Sequence, residues 1–199
     1  MGASEPGATR FDPPVTQSSG LMSVDLTQNY FELFGLPVAY AIDRPGLDQR
    51  YRELQRLVHP DRFASAPDQE RRIAMQQATQ INEGYRVLKD GLMRARYLLE
   101  LRGHRFDDER STHQDSAFLM EQMELREALA EVREAADPSA VLAEVQQQVD
   151  ARLAQLTAEL TSLLGAETGI DERALHAVQQ MQFFRKLTQE CDELEAEFD

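Results

Sequence analysis

Residues 47–63 read LDQRYRELQRLVHPDRF, an amphipathic helical pattern that stops abruptly at a proline. At about 100° per residue, one stripe of such a helix collects the apolar residues Leu47, Tyr51, Leu54 and Val58. Arg52 and Arg56 fall on the opposite side, in water. Because proline disfavours helical geometry in the residue before it, the helix should end near Val58 or His59. The pattern predicts a helix with one core-facing stripe and a basic outer face.

A tight polar loop follows this helix, and a second helix follows the loop. Residues 67–70, PDQE, suit a helix start, since proline is tolerated and acids are favoured in a first turn. The segment therefore predicts a helical hairpin with residues 59–61, HPD, at its tip.

The HPD tripeptide admits three interpretations. His59 next to Asp61 could act as a general base, or the aspartate could simply cap a polar turn. The third interpretation is docking on another protein, and we favour it. Pro60 fixes the shape of the loop, Asp61 can pair with a partner arginine, and His59 can hydrogen-bond to a partner's backbone. Arg52 and Arg56 can then meet an acidic strip on that partner.

Three further motifs flank the hairpin in order: NYFELFGL at 29–36, INEGYRVL at 81–88 and RARY at 94–97. With the HPD tripeptide, they resemble the J domain, the module by which J-type co-chaperones switch on the ATPase of an Hsp70 partner. By this resemblance the Hsp70 cleaves the ATP. The resemblance implies an Hsp70-binding site made of His59, Pro60, Asp61, Arg52, Arg56 and Arg62.

Composition narrows the possible partners and chemistry. The net charge of −14 argues against nucleic acid and against anionic membrane surfaces as partners. The single cysteine, Cys191, excludes an internal disulfide framework and a cysteine-rich zinc site. No phosphate loop, nucleophile motif or metal-ligand cluster indicates an enzyme, so we expect no catalytic residue, metal site or cofactor. We expect His104 and His113 to be solvated loop residues beside Asp107 and Asp108.

The first 27 residues are rich in Gly, Ser, Pro, Thr and Ala, and we interpret 1–27 as a disordered extension. They lack the basic start and apolar middle of a secretory signal, and Arg10 is their only basic residue. A start at Met22 stays open.

The remaining chain is predicted to be all-α. Helices are expected over 26–35, 47–58, 68–88 and 92–101, and then over 115–136, 141–164 and 171–198. Gly35 should cap the first helix, a connector should cover 37–46, and Asp137 should be the N-cap of a helix that starts with Pro138. The expected organisation is a J domain over 28–102, a linker over 103–114 and a three-helix bundle over 115–199.

Helical spacing also predicts core positions. In the third helix these are Ile73, Gln77, Ile81, Tyr85 and Leu88. In the fourth they are Leu92, Tyr97, Leu98 and Leu101. The helix over 141–164 has a seam of Leu142, Val145, Val149, Leu153, Leu156, Leu160 and Leu163. The last helix has a stripe of Phe184, Leu187, Cys191, Leu194 and Phe198. Gly84 should cost the third helix roughly 0.5–1 kcal/mol.

The helix that begins at 115 carries two apolar faces. Its core stripe is formed by Phe118, Leu125, Leu129 and Val132. A second set of apolar residues points away from that stripe: Leu119, Met120 and Met123. Glu124, Glu127 and Glu131 lie on the same side of the helix. In the last helix Phe183 lies off the core stripe, next to Phe184 on it. Periodicity alone leaves two interpretations open: a binding surface rimmed by acids, or packing against other parts of the chain.

A second resemblance favours the binding surface. The run SAFLMEQMELRE at 116–127, LMRARYLL at 92–99 and the acidic three-helix half are similar to HscB-type J proteins, the co-chaperones of iron–sulfur cluster assembly. The resemblance implies that the bundle binds an IscU-type scaffold protein and that the J domain presents this scaffold to an HscA-type Hsp70. The implied scaffold-binding residues are Leu119, Met120, Met123, Glu124, Glu127, Glu131 and Phe183.

The sequence departs from the J-domain pattern in places. Val58 precedes HPD where many J domains have an aromatic residue, and Glu53 stands where general J proteins are often basic, which fits a dedicated Hsp70. The cysteine-paired zinc module that precedes the J domain of some eukaryotic relatives is absent, which favours a bacterial, cytoplasmic protein. A J protein with a different client and a structural adaptor with an inert J-like half stay open. We expect a monomer, with a weak dimer through the apolar face left open.

Overall fold

The computed structural model describes residues 27–106, 116–165 and 171–198. Within these ranges the chain is all-α, as predicted, with seven α-helices: α1 Tyr30–Phe34, α2 Arg44–Leu57, α3 Asp68–Lys89, α4 Gly91–Leu101, α5 Ser116–Glu131, α6 Pro138–Gly165 and α7 Asp171–Phe198. Two 3₁₀ turns, Pro60–Phe63 and Val132–Glu134, follow α2 and α5. Residues 1–26 of the predicted extension over 1–27 and residues 107–114 of the predicted linker over 103–114 lie outside the described residues.

Most helices match the predicted ranges, and three differ. The second helix begins at Arg44, inside the predicted connector over 37–46, because Asp43 takes the N-cap position and Pro45 fits the first turn. The first helix begins at Tyr30 rather than at residue 26 because Asn29 and Glu32 form a capping box, in which each side chain accepts from the other's backbone N–H at 3.0 Å. Gly35 ends it in the left-handed region (φ 64°), as predicted. The predicted helix over 115–136 ends at Glu131 and tightens into a 3₁₀ turn.

The described residues form two compact units. The first holds 27–38 and 42–89, with α1, α2 and α3; the second holds 39–41 and 90–198, with α4 to α7. The predicted boundary placed α4 with the first unit. The fourth helix instead buries Ala95, Leu98 and Leu99 in contact with α6 and α7.

Ion pairs tie both ends of α4 to α7. Asp90 caps the start of α4 by accepting from Met93 N at 3.0 Å, and Arg185 pairs with its other carboxylate oxygen at 2.6 Å. At the other end, Asp171 accepts from Arg102 at 2.8 Å and lies 2.7 Å from His104 Nε2. The hydrogen bonds from Arg102 and then His104 lower the pKa of Asp171 below its usual range. His104 is therefore a partnered residue, and its predicted place as a solvated loop histidine was wrong.

The hairpin of α2 and α3 is held by a polar and aromatic contact. The rings of Tyr51 and Tyr85 stack at 4.0 Å between centroids. Tyr51 donates from its hydroxyl to Asn82 Oδ1 at 2.9 Å, and Tyr85 donates to Asp48 Oδ1 at 3.0 Å. These bonds run from α2 to α3 in both directions, so they fix the register of the two helices on which the HPD turn depends.

At the start of α3 the buried residue differs from the predicted one. Ile73 is 39% exposed, whereas its neighbour Ala74 is buried. Gln77, Ile81 and Leu88 are buried as predicted. The stripe that begins at Ala74 continues through Gln77, Ile81 and Gly84, and Ile73 lies about 100° away from it. Leu101 and Phe198, predicted as core, are also exposed, at the ends of α4 and α7.

Gly84 allows close packing between α3 and α1, a role that its low helix propensity does not indicate. A Cβ at this position would lie 2.9 Å from Cδ1 of Tyr30 and 3.0 Å from Cε2 of Phe34. Both ring atoms belong to α1, whose residues Phe31, Leu33 and Phe34 are buried. The missing side chain lets the aromatic rings of α1 approach the backbone of α3.

The second unit is built on α6 and α7, two 28-residue helices that run antiparallel. Cross-contacts pair Gln146 with Glu195, and Arg173 with Glu159, at opposite ends. Asp137 caps α6 by accepting from Ala140 N at 3.1 Å, as predicted. The predicted α7 stripe is buried from Phe184 to Leu194. It includes the free thiol of Cys191, whose pKa burial raises to about 11.

We predict that Gly84→Ala destabilises the protein. Alanine adds roughly 0.5–1 kcal/mol of helix propensity, but overpacking against Tyr30 and Phe34 costs about 1–3 kcal/mol. The expected net loss is about 1 kcal/mol, measured by urea unfolding followed by circular dichroism. Gly165→Ala is the control, because a Cβ there meets nothing within 4 Å. A Gly84→Ala protein more stable than the wild type would contradict the packing role.

Candidate functional site

The HPD turn is exposed and locally ordered. His59 is the N-cap of the 3₁₀ turn, and its Nδ1 accepts from the backbone N–H of Asp61 at 3.4 Å. The His59 carbonyl accepts from Arg62 N at 3.0 Å, and Pro60 occupies the first position of the turn. Side chains of all three motif residues are exposed. Nδ1 of His59 lies 3.5 Å from Asp61 Oδ2 but accepts its hydrogen bond from the Asp61 backbone, so this geometry favours a shaped docking tip over a general-base pair.

Three arginines lie on α2 and in this turn. Arg52 and Arg56 are exposed on α2, as the sequence predicted, and Arg62 donates to the Arg56 carbonyl at 3.3 Å. Glu53 interrupts the basic surface. Hydrogen bonds from Gln49 and Arg50 lower the pKa of Glu53, so its carboxylate stays charged. The six predicted Hsp70-binding residues are all exposed, with Arg52 and Arg56 in the second half of α2 and the other four in the turn that follows it.

The outward face of α5 is apolar and exposed. Leu119 is 47%, Met120 62% and Met123 71% exposed. Glu124, Glu127 and Glu131 are exposed along the same helix. On the other side, Leu125, Leu129 and Val132 are buried. Of the two interpretations that periodicity left open, internal packing of Leu119, Met120 and Met123 does not hold. We call these three residues and the three glutamates the α5 face.

Phe183 lies between the α5 face and the core. Its ring meets Phe118 edge-on at 5.7 Å and Phe184 at 5.3 Å, and it is half-buried. Phe118, predicted as core, is half-buried too, whereas Phe184 is fully buried. The aromatic cluster therefore extends from the interior to the surface beside Leu119, and Phe183 presents only part of its ring.

Two arginines at this cluster were missed by sequence reasoning. The guanidinium of Arg126 lies 5.6 Å from the centre of the Phe183 ring, and that of Arg152 lies 5.5 Å from the Phe184 ring. Arg152 also pairs with Glu121 at 2.7 Å, which ties α6 to α5. The available signal was the position of Arg126, three residues after Met123 on α5.

A groove lies between α7 and the segment formed by α5 and the 3₁₀ turn that follows it. Leu129, Ala130 and Leu194 form its apolar lining, with Arg126 among its basic side chains. Arg133 crosses the groove's end to Glu197, in a fork of bonds at 2.8 and 3.0 Å. Glu190 and Glu193 make the α7 side acidic.

No three His, Cys, Asp or Glu side chains in the described part of the chain group to hold a metal ion. Over the same residues, every helix is too short or too polar to cross a membrane. His113, Asp107 and Asp108 lie outside the described residues.

Comparison with known proteins identifies the family. The model of the HSCB C-terminal oligomerisation domain matches residues 114–192. Co-chaperone protein HscB homologs from Shewanella baltica and Shewanella oneidensis are 44% identical over 168 and 172 residues, covering 84% of this chain and 97% of each relative. The chain belongs to the HscB co-chaperone family.

Solved HscB structures have the same fold. Chaperone HscB from Vibrio cholerae has 41% sequence identity and a TM-score of 0.77, covering 86% of this chain and all of that one. The human co-chaperone protein HscB has 28% identity and a TM-score of 0.82, covering 96% of this chain and 94% of its own. The HscB architecture of an N-terminal J domain and a C-terminal helical bundle, predicted from the sequence, is confirmed.

We predict that Phe183 and Phe184 respond differently to truncation. Phe184→Ala opens a cavity at a fully buried site and should cost about 3–5 kcal/mol of stability. Phe183→Ala removes a half-exposed ring and should cost less than half as much. Thermal unfolding of both variants measures the difference. Equal losses would place Phe183 in the core and remove it from the predicted scaffold-binding residues.

Proposed function

We propose that this HscB protein binds an IscU-type iron–sulfur scaffold through the α5 face and stimulates an HscA-type Hsp70 through the HPD turn. The observation that carries the proposal is the exposure of Leu119, Met120 and Met123, on the side of α5 opposite its buried stripe. A member of a co-chaperone family that leaves an apolar patch in water, with three glutamates along it, has a surface suited to a specific protein partner.

The chemistry of the α5 face indicates what the scaffold must present. Methionines and a leucine adapt to an apolar surface, and they provide most of the area that becomes buried on binding. The glutamates favour basic residues at the edge of the partner's surface and disfavour acidic ones. Phe183 adds a partly exposed aromatic ring beside the patch.

The HPD turn supports contact with the Hsp70. Its three residues are exposed, and its shape is fixed by Pro60 and by the bond between His59 and the Asp61 backbone. Arg52 and Arg56 add positive charge for an acidic strip on the chaperone. The co-chaperone can bias the Hsp70 toward its ATP-hydrolysing state only by binding that state more tightly.

One chain with both surfaces acts as a tether. When the scaffold is bound to the second unit, the contact of the first unit with the Hsp70 raises the scaffold's effective concentration at the chaperone. The catalysis belongs to the Hsp70, and this chain contributes binding energy and proximity.

Self-association is a second candidate use of the α5 face, because the matched family domain is described as an oligomerisation domain. An isologous dimer would bring the glutamates of two copies together. Sedimentation at rising protein concentration separates this candidate from scaffold binding. A monomer that binds scaffold one-to-one supports the primary proposal.

We predict that His59→Gln or Asp61→Asn reduces stimulation of the Hsp70 ATPase at least tenfold, because each removes a group that the docking tip presents. Steady-state ATP turnover by the HscA-type chaperone measures this effect, and calorimetry should show unchanged scaffold affinity. Asp192→Asn, an exposed aspartate on α7, is the matched control. Full stimulation by either HPD variant would refute the proposed role of the turn.

We predict that Leu119→Ala combined with Met123→Ala weakens scaffold binding by at least 1.4 kcal/mol, roughly tenfold, because central apolar contacts dominate such interfaces. Helix content and unfolding midpoint should change little, since both side chains are exposed. Met75→Ala, an equally exposed methionine on α3, is the control. Wild-type affinity in the double variant would exclude this face. Recovery of many unfolded proteins and no scaffold would indicate a general folding helper.

A further inference from the structure

Two methionines of the α5 face are unusually open to oxidants. Met120 and Met123 are 62% and 71% exposed, and they are three residues apart on one side of α5. Met181 on α7 is only 4% exposed. Met75 on α3 is 72% exposed but belongs to the first unit. The chain therefore contains a protected methionine and an exposed methionine away from the face, both useful for comparison.

We propose that Met120 and Met123 form a reversible oxidation site at which peroxides switch off scaffold binding. This inference rests on the proposed role of the α5 face. The reactant is a small neutral oxidant such as hydrogen peroxide. It needs only access to the thioether sulfur.

The reaction is a two-electron oxygen transfer. The thioether sulfur attacks one peroxide oxygen, so that an S–O bond forms while the O–O bond breaks. The sulfur is oxidised to a sulfoxide, and the other peroxide oxygen leaves as water after a proton transfer. Thiol-dependent methionine sulfoxide reductases return the sulfoxide to the thioether, one enzyme for each of its two epimers.

A sulfoxide at either position would oppose docking. The flexible apolar side chain becomes polar, and its S–O oxygen must lose water when a partner covers it. The glutamates of the α5 face are hydrogen-bond acceptors and cannot donate to that oxygen. The donors near the two methionines on α5 are Ser116, four residues before Met120, and Arg126, three residues after Met123, whose guanidinium lies over the Phe183 ring. Either one must give up water or its present contact to bond the sulfoxide, so the modified face still gains polarity that docking has to desolvate.

The fold should survive this oxidation. The buried stripe of α5, with Leu125, Leu129 and Val132, contains no methionine. The buried positions of α6 and α7 next to it are alanine, leucine, valine, cysteine, phenylalanine and glutamine, apart from Met181, which at 4% exposure is shielded from the oxidant. The switch therefore acts on binding while helix content stays constant, which distinguishes it from oxidative unfolding.

The test treats the full chain with hydrogen peroxide, removes the oxidant with catalase and maps sulfoxides by mass spectrometry. We expect Met75, Met120 and Met123 to oxidise at least tenfold faster than Met181. Calorimetry with the apo IscU-type scaffold should then show at least tenfold weaker affinity at unchanged circular dichroism. Repair by both sulfoxide reductases should restore the affinity.

Two variants identify the residues responsible. M75L should bind scaffold normally and lose affinity on oxidation like the wild type. M120L/M123L should show the same affinity before and after peroxide, whatever its starting value. Full affinity in protein shown to carry both sulfoxides would overturn the inference, as would loss of affinity in oxidised M120L/M123L. Reduced wild-type protein that fails to bind scaffold would instead overturn the proposed function.

Discussion

A helix on the surface of a bundle can bury only one stripe, and α5 carries apolar residues on two. The α6–α7 pair accepts Leu125, Leu129 and Val132, which are buried. Residues on the far side of α5 remain in water because no second layer of described helices covers them. Because of this constraint, α5 packs on the bundle with one stripe and exposes a second apolar stripe to solvent. The ion pair between Arg152 and Glu121 and the aromatic cluster at Phe118 hold α5 in the rotation that keeps the two stripes apart.

Local signals made much of the fold predictable. The hairpin, α3, α6 and α7 follow from helical periodicity, from the proline in HPD and from the cap at Asp137. The outward placement of Leu119, Met120 and Met123 was also predictable, since a helical wheel separates them from the buried stripe.

The parts that sequence reasoning missed depend on contacts far apart in the chain. The membership of α4 in the second unit depends on Asp171 reaching Arg102 and on Arg185 reaching Asp90. Helix propensity alone marked Gly84 as a weak point in α3. The ring of Tyr30, which occupies the space that a side chain at position 84 would need, lies on another helix. Such pairings leave no periodic trace, and so periodicity could not have predicted them.

The glutamates of the α5 face act against the pairing of its exposed apolar patch with a second copy of the chain. In an isologous pair, a patch meets its own copy, so Glu124, Glu127 and Glu131 would oppose the same three negative charges. Like charges brought together in this way cost several kcal/mol, whereas a partner with basic residues around an apolar surface gains attraction at the same positions. The acids thus act against self-pairing and in favour of one class of partner, which is how specificity arises from repulsion as well as from fit. The chain's net charge of −14 extends the same bias over the whole molecule.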